Sequence, residues 1–173
     1  MRPQTPNYSR MVERFRFYDE NSDGYLNEGQ FNHLMKDLQV DFSPLFVNVC
    51  LKGISDDKYL HVHYHSFKTL YDAILEGPQS KAYQLVLFRG LDSNHDGVLT
   101  DSELNQLIYI VNTDIMSEEA IEIMNKVTNN NTQPASYSSV MKHVFSVNVP
   151  KDENPFSVRI VVRSHHSSCC FLF

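Results

Sequence analysis

A chain of 173 residues, 42% hydrophobic and with a formal net charge of −6, is long enough to bury one substantial core or two small ones. No stretch approaches the roughly 20 apolar residues that cross a bilayer, and the acidic balance argues against a nucleic-acid partner despite Arg2, Arg10, Arg14 and Arg16. Cys50, Cys169 and Cys170 lack framework spacing, and MRPQTPNYSR has neither an apolar leader nor a glycine at position 2, so a reduced, cytoplasmic chain is expected.

The first helix is predicted to begin after Thr5-Pro6, a start signal, with Met11, Val12, Phe15 and Tyr18 recurring at helical spacing. Asp19 to Gln30 (DENSDGYLNEGQ) follows. Oxygen-bearing side chains alternate at Asp19, Asn21 and Asp23, Gly24 permits a sharp turn, and the Tyr25 carbonyl, Asn27 and Gln30 complete a set of donors for a hard cation. Calcium is the expected ion, with magnesium competing. Gln30 offers one neutral oxygen where glutamate offers two charged ones, so this site should be the weaker. Phe31, Leu34, Met35 and Leu38 then resume helical spacing.

Ser43-Pro44 starts the next helix, and Val47, Leu51 and Ile54 repeat the apolar frame before a second loop at Ser55 to Ser66, with Phe67, Leu70, Tyr71 and Ile74 after it. Tyr59 and Leu60 stand where a ligand and the glycine belong, so the loop should hold no ion. His61, His63 and His65 share a face if extended. With no acid or thiol completing a zinc or copper set, a solvated edge is expected. Glu76-Gly77-Pro78-Gln79-Ser80 breaks the helical pattern, which predicts a hinge at 77–80 between units at 5–76 and 81–148.

The strongest signal lies in the third repeat, Asp92 to Glu103 (DSNHDGVLTDSE). Asp92, Asn94 and Asp96 each supply a side-chain oxygen, Gly97 turns the chain, Val98 supplies a carbonyl and Thr100 a hydroxyl, and Glu103 closes the loop with two oxygens. Around it stand Leu85, Phe88 and Leu91, then Leu104, Leu107, Ile108 and Val111. A fourth loop, Thr128 to Ser139, sits in the same apolar frame but has no carboxylate. Loop starts at 19, 55, 92 and 128 are nearly evenly spaced, as expected of a repeated unit that cannot bury its own apolar side. Phosphate-binding glycine loops and nucleophile elbows are missing from the sequence, so an enzyme is not expected.

These loops in their helical frame resemble the EF-hand superfamily, specifically the four-unit, two-lobe calmodulin and troponin C type, over roughly residues 5–148. The resemblance implies an all-α fold, with Leu26 bridging Val62 and Leu99 bridging Ala135 between paired loops. It implies a calcium sensor, monomeric when free, that opens a methionine-rich groove to a target protein's amphipathic helix. Met35, Met116, Met124 and Met141 are the groove candidates. A constitutive light-chain-like adaptor and a calcium buffer are the alternatives.

The tail, 149–173, lies outside the resemblance. Phe156 to Arg163 alternates partly as a strand, and the terminal Cys170-Phe171-Leu172-Phe173 fits a prenylation signal, with Cys169 available for a second lipid. Membrane association through that terminus is the corresponding expectation; because one chain alone anchors weakly, a lipid on Cys169 or basic residues such as Arg159 and Arg163 would be needed for stable anchoring.

Overall fold

The computed structural model describes residues 8–38, 42–55, 57–112 and 117–162. The lipidation candidates Cys169 and Cys170, the groove candidate Met116 and the Thr5-Pro6 start signal lie outside the described residues. The described chain is mostly helical, with eight helices and two antiparallel two-stranded sheets. In order they are α1 (Tyr8–Tyr18), β1 (Tyr25–Leu26), α2 (Glu28–Asp37), α3 (Pro44–Ile54), β2 (Val62–His63), α4 (Tyr64–Glu76), α5 (Lys81–Leu91), β3 (Val98–Leu99), α6 (Asp101–Val111), α7 (Ser117–Thr128), β4 (Ala135–Ser136) and α8 (Tyr137–Val144). No helix among the described residues is long and apolar enough to cross a membrane.

Local chemistry sets the helix ends. The Ser43 hydroxyl accepts from the Phe46 amide at 3.2 Å and Pro44 occupies the first turn, where its missing N–H costs nothing. Gly77 ends α4 at φ 79°, a conformation few other residues adopt. Each pair of loops meets through one short ladder: Leu26 lies opposite Val62 and Leu99 opposite Ala135, the register that the resemblance implies.

Residues 150–162 hold turns, with Glu153 N–H on the Pro150 carbonyl and Ser157 N–H on the Asn154 carbonyl, and no strand, contrary to the alternation seen from Phe156 onward. The alternate apolar residues Val158 and Ile160 instead pack individually against the core.

Phe31, Phe67 and Phe88 are fully buried, and the buried apolar side chains form one cluster from Met11 to Phe145. This cluster includes residues on both sides of 77–80, where the sequence places a hinge. It is continuous because α3 and α5, one from each side of that point, are the most extensively packed pair of helices. Their backbones touch. A Cβ on Gly53 would stand 2.9 Å from the Val86 carbonyl carbon and 3.0 Å from Val86 Cγ1, and one on Gly90 would stand 2.8 Å and 3.0 Å from the same atoms of Val49. Each helix thus offers a valine and, four residues later, a glycine to its counterpart.

Gly53→Ala and Gly90→Ala should each cost about 1–3 kcal/mol or more, because backbone rather than a flexible side chain blocks the added methyl. Gly29→Ala, in the first turn of α2, should stay within about 1 kcal/mol of wild type. Urea denaturation midpoints of the three variants check this.

Candidate metal centre

The third loop is built on Asp92, which ends α5 and is fully buried. One carboxylate oxygen accepts from the Asp96 amide at 3.3 Å and the other from the Gly97 amide at 2.7 Å. These bonds hold the chain through two left-handed residues, His95 at φ 60° and Gly97 at φ 81°. Asp96 in turn accepts from the Val98 amide at 2.8 Å and from the Asn94 side-chain amide at 2.9 Å. Burial raises the Asp92 carboxyl above its ordinary range; the Gly97 and Asp96 amides oppose that shift, and the Asp96 carboxylate adds to it. A nearby cation would relieve both the burial and the repulsion.

Glu103 closes the loop. Its carboxylate accepts from the Thr100 amide at 2.9 Å and the Thr100 hydroxyl at 3.0 Å, and it reaches the Ser93 amide at the loop entrance at 3.3 Å. Thr100 and Glu103 together form a capping box on α6. Burial pushes the Glu103 carboxyl up, but the bonds from Thr100 and Ser93 outweigh it and hold it below its usual range.

The first loop repeats this wiring. Asp19 accepts from the Asp23 and Gly24 amides at 3.1 and 2.9 Å, Asp23 from the Tyr25 amide at 2.8 Å, and Asn27 and Gln30 form the capping box of α2. The side-chain oxygen of Gln30 accepts from the Asn27 amide at 2.9 Å, as Glu103 does from Thr100. Asn21, Asp23, Tyr25, Asn27 and Gln30 line a hollow of about 480 Å³, shared with Asp57 and His61 of the neighbouring loop. Asp57 and His61 reach this hollow because the ladder of Tyr25 and Leu26 with His63 and Val62 sets the two loops side by side.

The even loops use other chemistry. Asp57 organises the second by accepting from the amides of Tyr59 and His61, and it pairs with the His61 ring at 2.8 Å. His63 accepts from the His65 amide at the start of α4 and its ring lies against Tyr25, so the three histidines have separate tasks. In the fourth loop the buried Thr128 hydroxyl accepts from the Asn131 amide at 3.1 Å, and Asn129, Asn130 and Asn131 are all left-handed. Asparagine tolerates that region better than most residues.

Among the described residues, no three His, Cys, Asp or Glu side chains gather closely enough to hold a metal ion. An ion in either odd loop would have to draw on asparagine and carbonyl oxygens as well, with Gln30 in the first loop and Thr100 in the third, and that mixed, all-oxygen donor set fits calcium or magnesium. Of the groove candidates among the described residues, Met35 and Met141 are buried in the core and Met124 is half-buried. The first two face inward because α2 and α8 turn their apolar stripes to the common cluster.

No protein-family model matches the chain. Over 136 residues it is 24% identical to the myosin regulatory light chain of Physarum polycephalum, an alignment covering 78% of this chain and 90% of that protein.

Because an amide caps α2 as the carboxylate caps α6, Glu103→Gln should keep the capping box and, in chelator at pH 7, lose at most about 1 kcal/mol. The Glu103 carboxyl is lowered on folding, so its contribution is present above the ordinary carboxylate pKa of about 4.3 and is lost as pH falls through the lowered value. Denaturation of wild type and variant should therefore differ slightly at pH 7 and converge under strong acid.

Proposed function

We propose that this chain is an EF-hand regulatory subunit that holds an amphipathic helix of a partner protein against α7, and that calcium in the 92–103 loop controls the grip. The observation that carries this reading is α7 itself. Ala120, Ile121, Ile123, Met124 and Val127 recur along it, yet of these only Val127 is buried, and Ile121 is 56% exposed. The corresponding helix α3 buries Phe46, Val49, Cys50, Leu51 and Ile54. A lightly covered apolar stripe, exposed at Ile121 and flanked by half-buried Ile110 and Val111 of α6 and Val144 of α8, suits a partner helix that anchors through every third or fourth residue. Similarity to a myosin regulatory light chain supports a subunit of this kind.

Asp92, Asn94 and Asp96 would hold the ion through side-chain oxygens, Val98 through its carbonyl, Thr100 through its hydroxyl or a water, and Glu103 through its carboxylate. Calcium supplies the positive charge that offsets the three carboxylates. Because the Glu103 carboxylate also caps α6 through Thr100, turning it toward an ion would draw on the first turn of α6 and so on the wall beside α7. The first loop, with Gln30 in the closing place, binds more weakly.

A second reading, a constitutive adaptor, is favoured by the α7 stripe standing lightly covered while Glu103 still serves as a helix cap.

A calorimetric calcium titration in millimolar magnesium, run beside binding of an apolar fluorescent dye, separates the two. A sensor should take up calcium, lose its tighter site in Glu103→Gln, and brighten the dye when calcium is added. An adaptor should bind the dye equally with and without calcium. In both, Ile121→Asp should lower dye binding severalfold; unchanged binding would exclude the α7 face.

A further inference from the structure

After α8 the chain turns back at Ser146, left-handed at φ 60°, with the Val147 amide on the Met141 carbonyl at 2.9 Å. It then crosses the third loop. Glu153 pairs with Lys81 at the start of α5, 3.1 Å away. Arg89, three residues before Asp92, donates to the Pro155 carbonyl through Nε at 2.8 Å and Nη2 at 2.5 Å, and Nη2 also donates to the Val158 carbonyl. The Phe156 ring lies against His95, centroids 4.6 Å apart at 35°, with the Arg89 guanidinium 6.0 Å from its centre. Pro155 Cδ comes within 3.8 Å of the point where a Cβ on Gly97 would stand. Farther on, Val158, Arg159 and Ile160 share a hollow of about 400 Å³ with Gly53, Ile54 and His65. The segment therefore runs from the third loop across α5 to the end of α3 and the start of α4.

The landing surface of this segment is the same stretch of backbone that the loop carboxylates hold in place. Phe156 and Pro155 rest on residues 95 and 97, whose left-handed geometry depends on Asp92 accepting the Asp96 and Gly97 amides. Asp92, Asn94 and Asp96 are also the side chains that would point at an ion. A cation that fixes them fixes the 93–97 backbone, which prepares the surface for the tail. By reciprocity a docked tail prepares the loop for the cation, since coupling between two binding events acts equally in both directions.

We infer that residues 150–162 form a strap whose docking and the binding of a divalent cation in the third loop reinforce each other. The inference rests on the calcium site proposed for Asp92 to Glu103. It assigns Phe156 and Arg89 a positioning role: neither supplies an oxygen to the ion, and both act through the backbone that carries those oxygens.

Two measurements on the full chain test it. Amide hydrogen exchange followed by mass spectrometry should show calcium slowing exchange at 156–160 about tenfold, with the slowing lost in Glu103→Gln. Calorimetry of Phe156→Ala, a half-buried position whose truncation leaves the common core intact, should show calcium affinity at the third loop reduced about fivefold and that of the first loop unchanged. Calcium uptake by wild type with no change in exchange at 156–160, or wild-type affinity in Phe156→Ala, overturns the strap and leaves the calcium site standing. No calcium uptake by wild type overturns both.

Discussion

Backbone contact between α3 and α5 is the constraint on which the rest of the molecule depends. Val49 and Gly53 on one helix meet Val86 and Gly90 on the other, and each glycine stands two residues before a loop, Ser55 to Ser66 or Asp92 to Glu103. Helices usually pack 8–10 Å apart; side chains keep them there, and only glycine lets two backbones touch. Glycine in a helix interior costs about 1 kcal/mol relative to alanine, so two such residues weaken α3 and α5 as isolated helices. Their packing offsets that cost through buried Val49 and Val86, each contributing roughly 1.5–3 kcal/mol, and through the contact of the Phe46 and Tyr83 rings. The contact joins the halves of the chain into one core and fixes the entering helices of two neighbouring loops relative to each other.

Given that frame, the loops separate two tasks that one side chain often combines. The first residue of a loop must satisfy backbone amides so that the chain can turn; it need not bind an ion. Asp19 and Asp92 do the first task with carboxylates and Thr128 with a neutral hydroxyl, and all three begin loops at the same place in the repeat. The last residue behaves alike: Gln30 and Glu103 make the same cap, and differ in charge, in the further bonds Glu103 accepts from Ser93 and the Thr100 hydroxyl, and in the number of strong oxygens for a cation. Scaffold and affinity are thus set by different atoms, which is how a loop such as 128–139 keeps its shape with no carboxylate.

Much of this was legible in the sequence because it is local. Apolar residues at helical spacing located all four loops, Ser43-Pro44 marked the start of α3, and the family resemblance supplied the Leu26–Val62 and Leu99–Ala135 bridges. What could not be read depends on contacts distant along the chain. The valine and glycine repeat before the second and third loops is present in the sequence, but glycine in a helix lowers helical propensity and gives no hint of a helix crossing. Met35 and Met141 resembled groove residues because their spacing is compatible with either side of an amphipathic helix, and the shared core decided for burial. Phe156 to Arg163 alternates partly like a strand, yet among the described residues of that stretch no strand forms, and the Val158 carbonyl, with that of Pro155 before it, accepts from Arg89. That arginine, in a helix buried on nearly every side, is the one signal that a polar chain segment had to arrive there.

The same frame bears on how a partner could be gripped. With α3 held on α5 by backbone contact, the two halves cannot swing independently around a target helix without breaking the crossing, which would expose Phe46, Val49 and Val86 to water. Binding by the lightly covered stripe of α7 needs no such opening. Val127 anchors the end of that helix, while the Ser139 hydroxyl holds the Val127 carbonyl at 2.6 Å and the Thr128 hydroxyl the Met124 carbonyl at 2.8 Å. The helix is thus fixed at its loop end and lightly covered toward Ser117. Covering Ile121 and its half-buried neighbours would contribute about 1 kcal/mol for each 40 Å² of apolar surface removed from water. A partner helix gains that without disturbing the core, and the coupling to calcium then runs through the cap at Thr100 and Glu103 and the adjoining helix α6, not through a change in how the halves are joined.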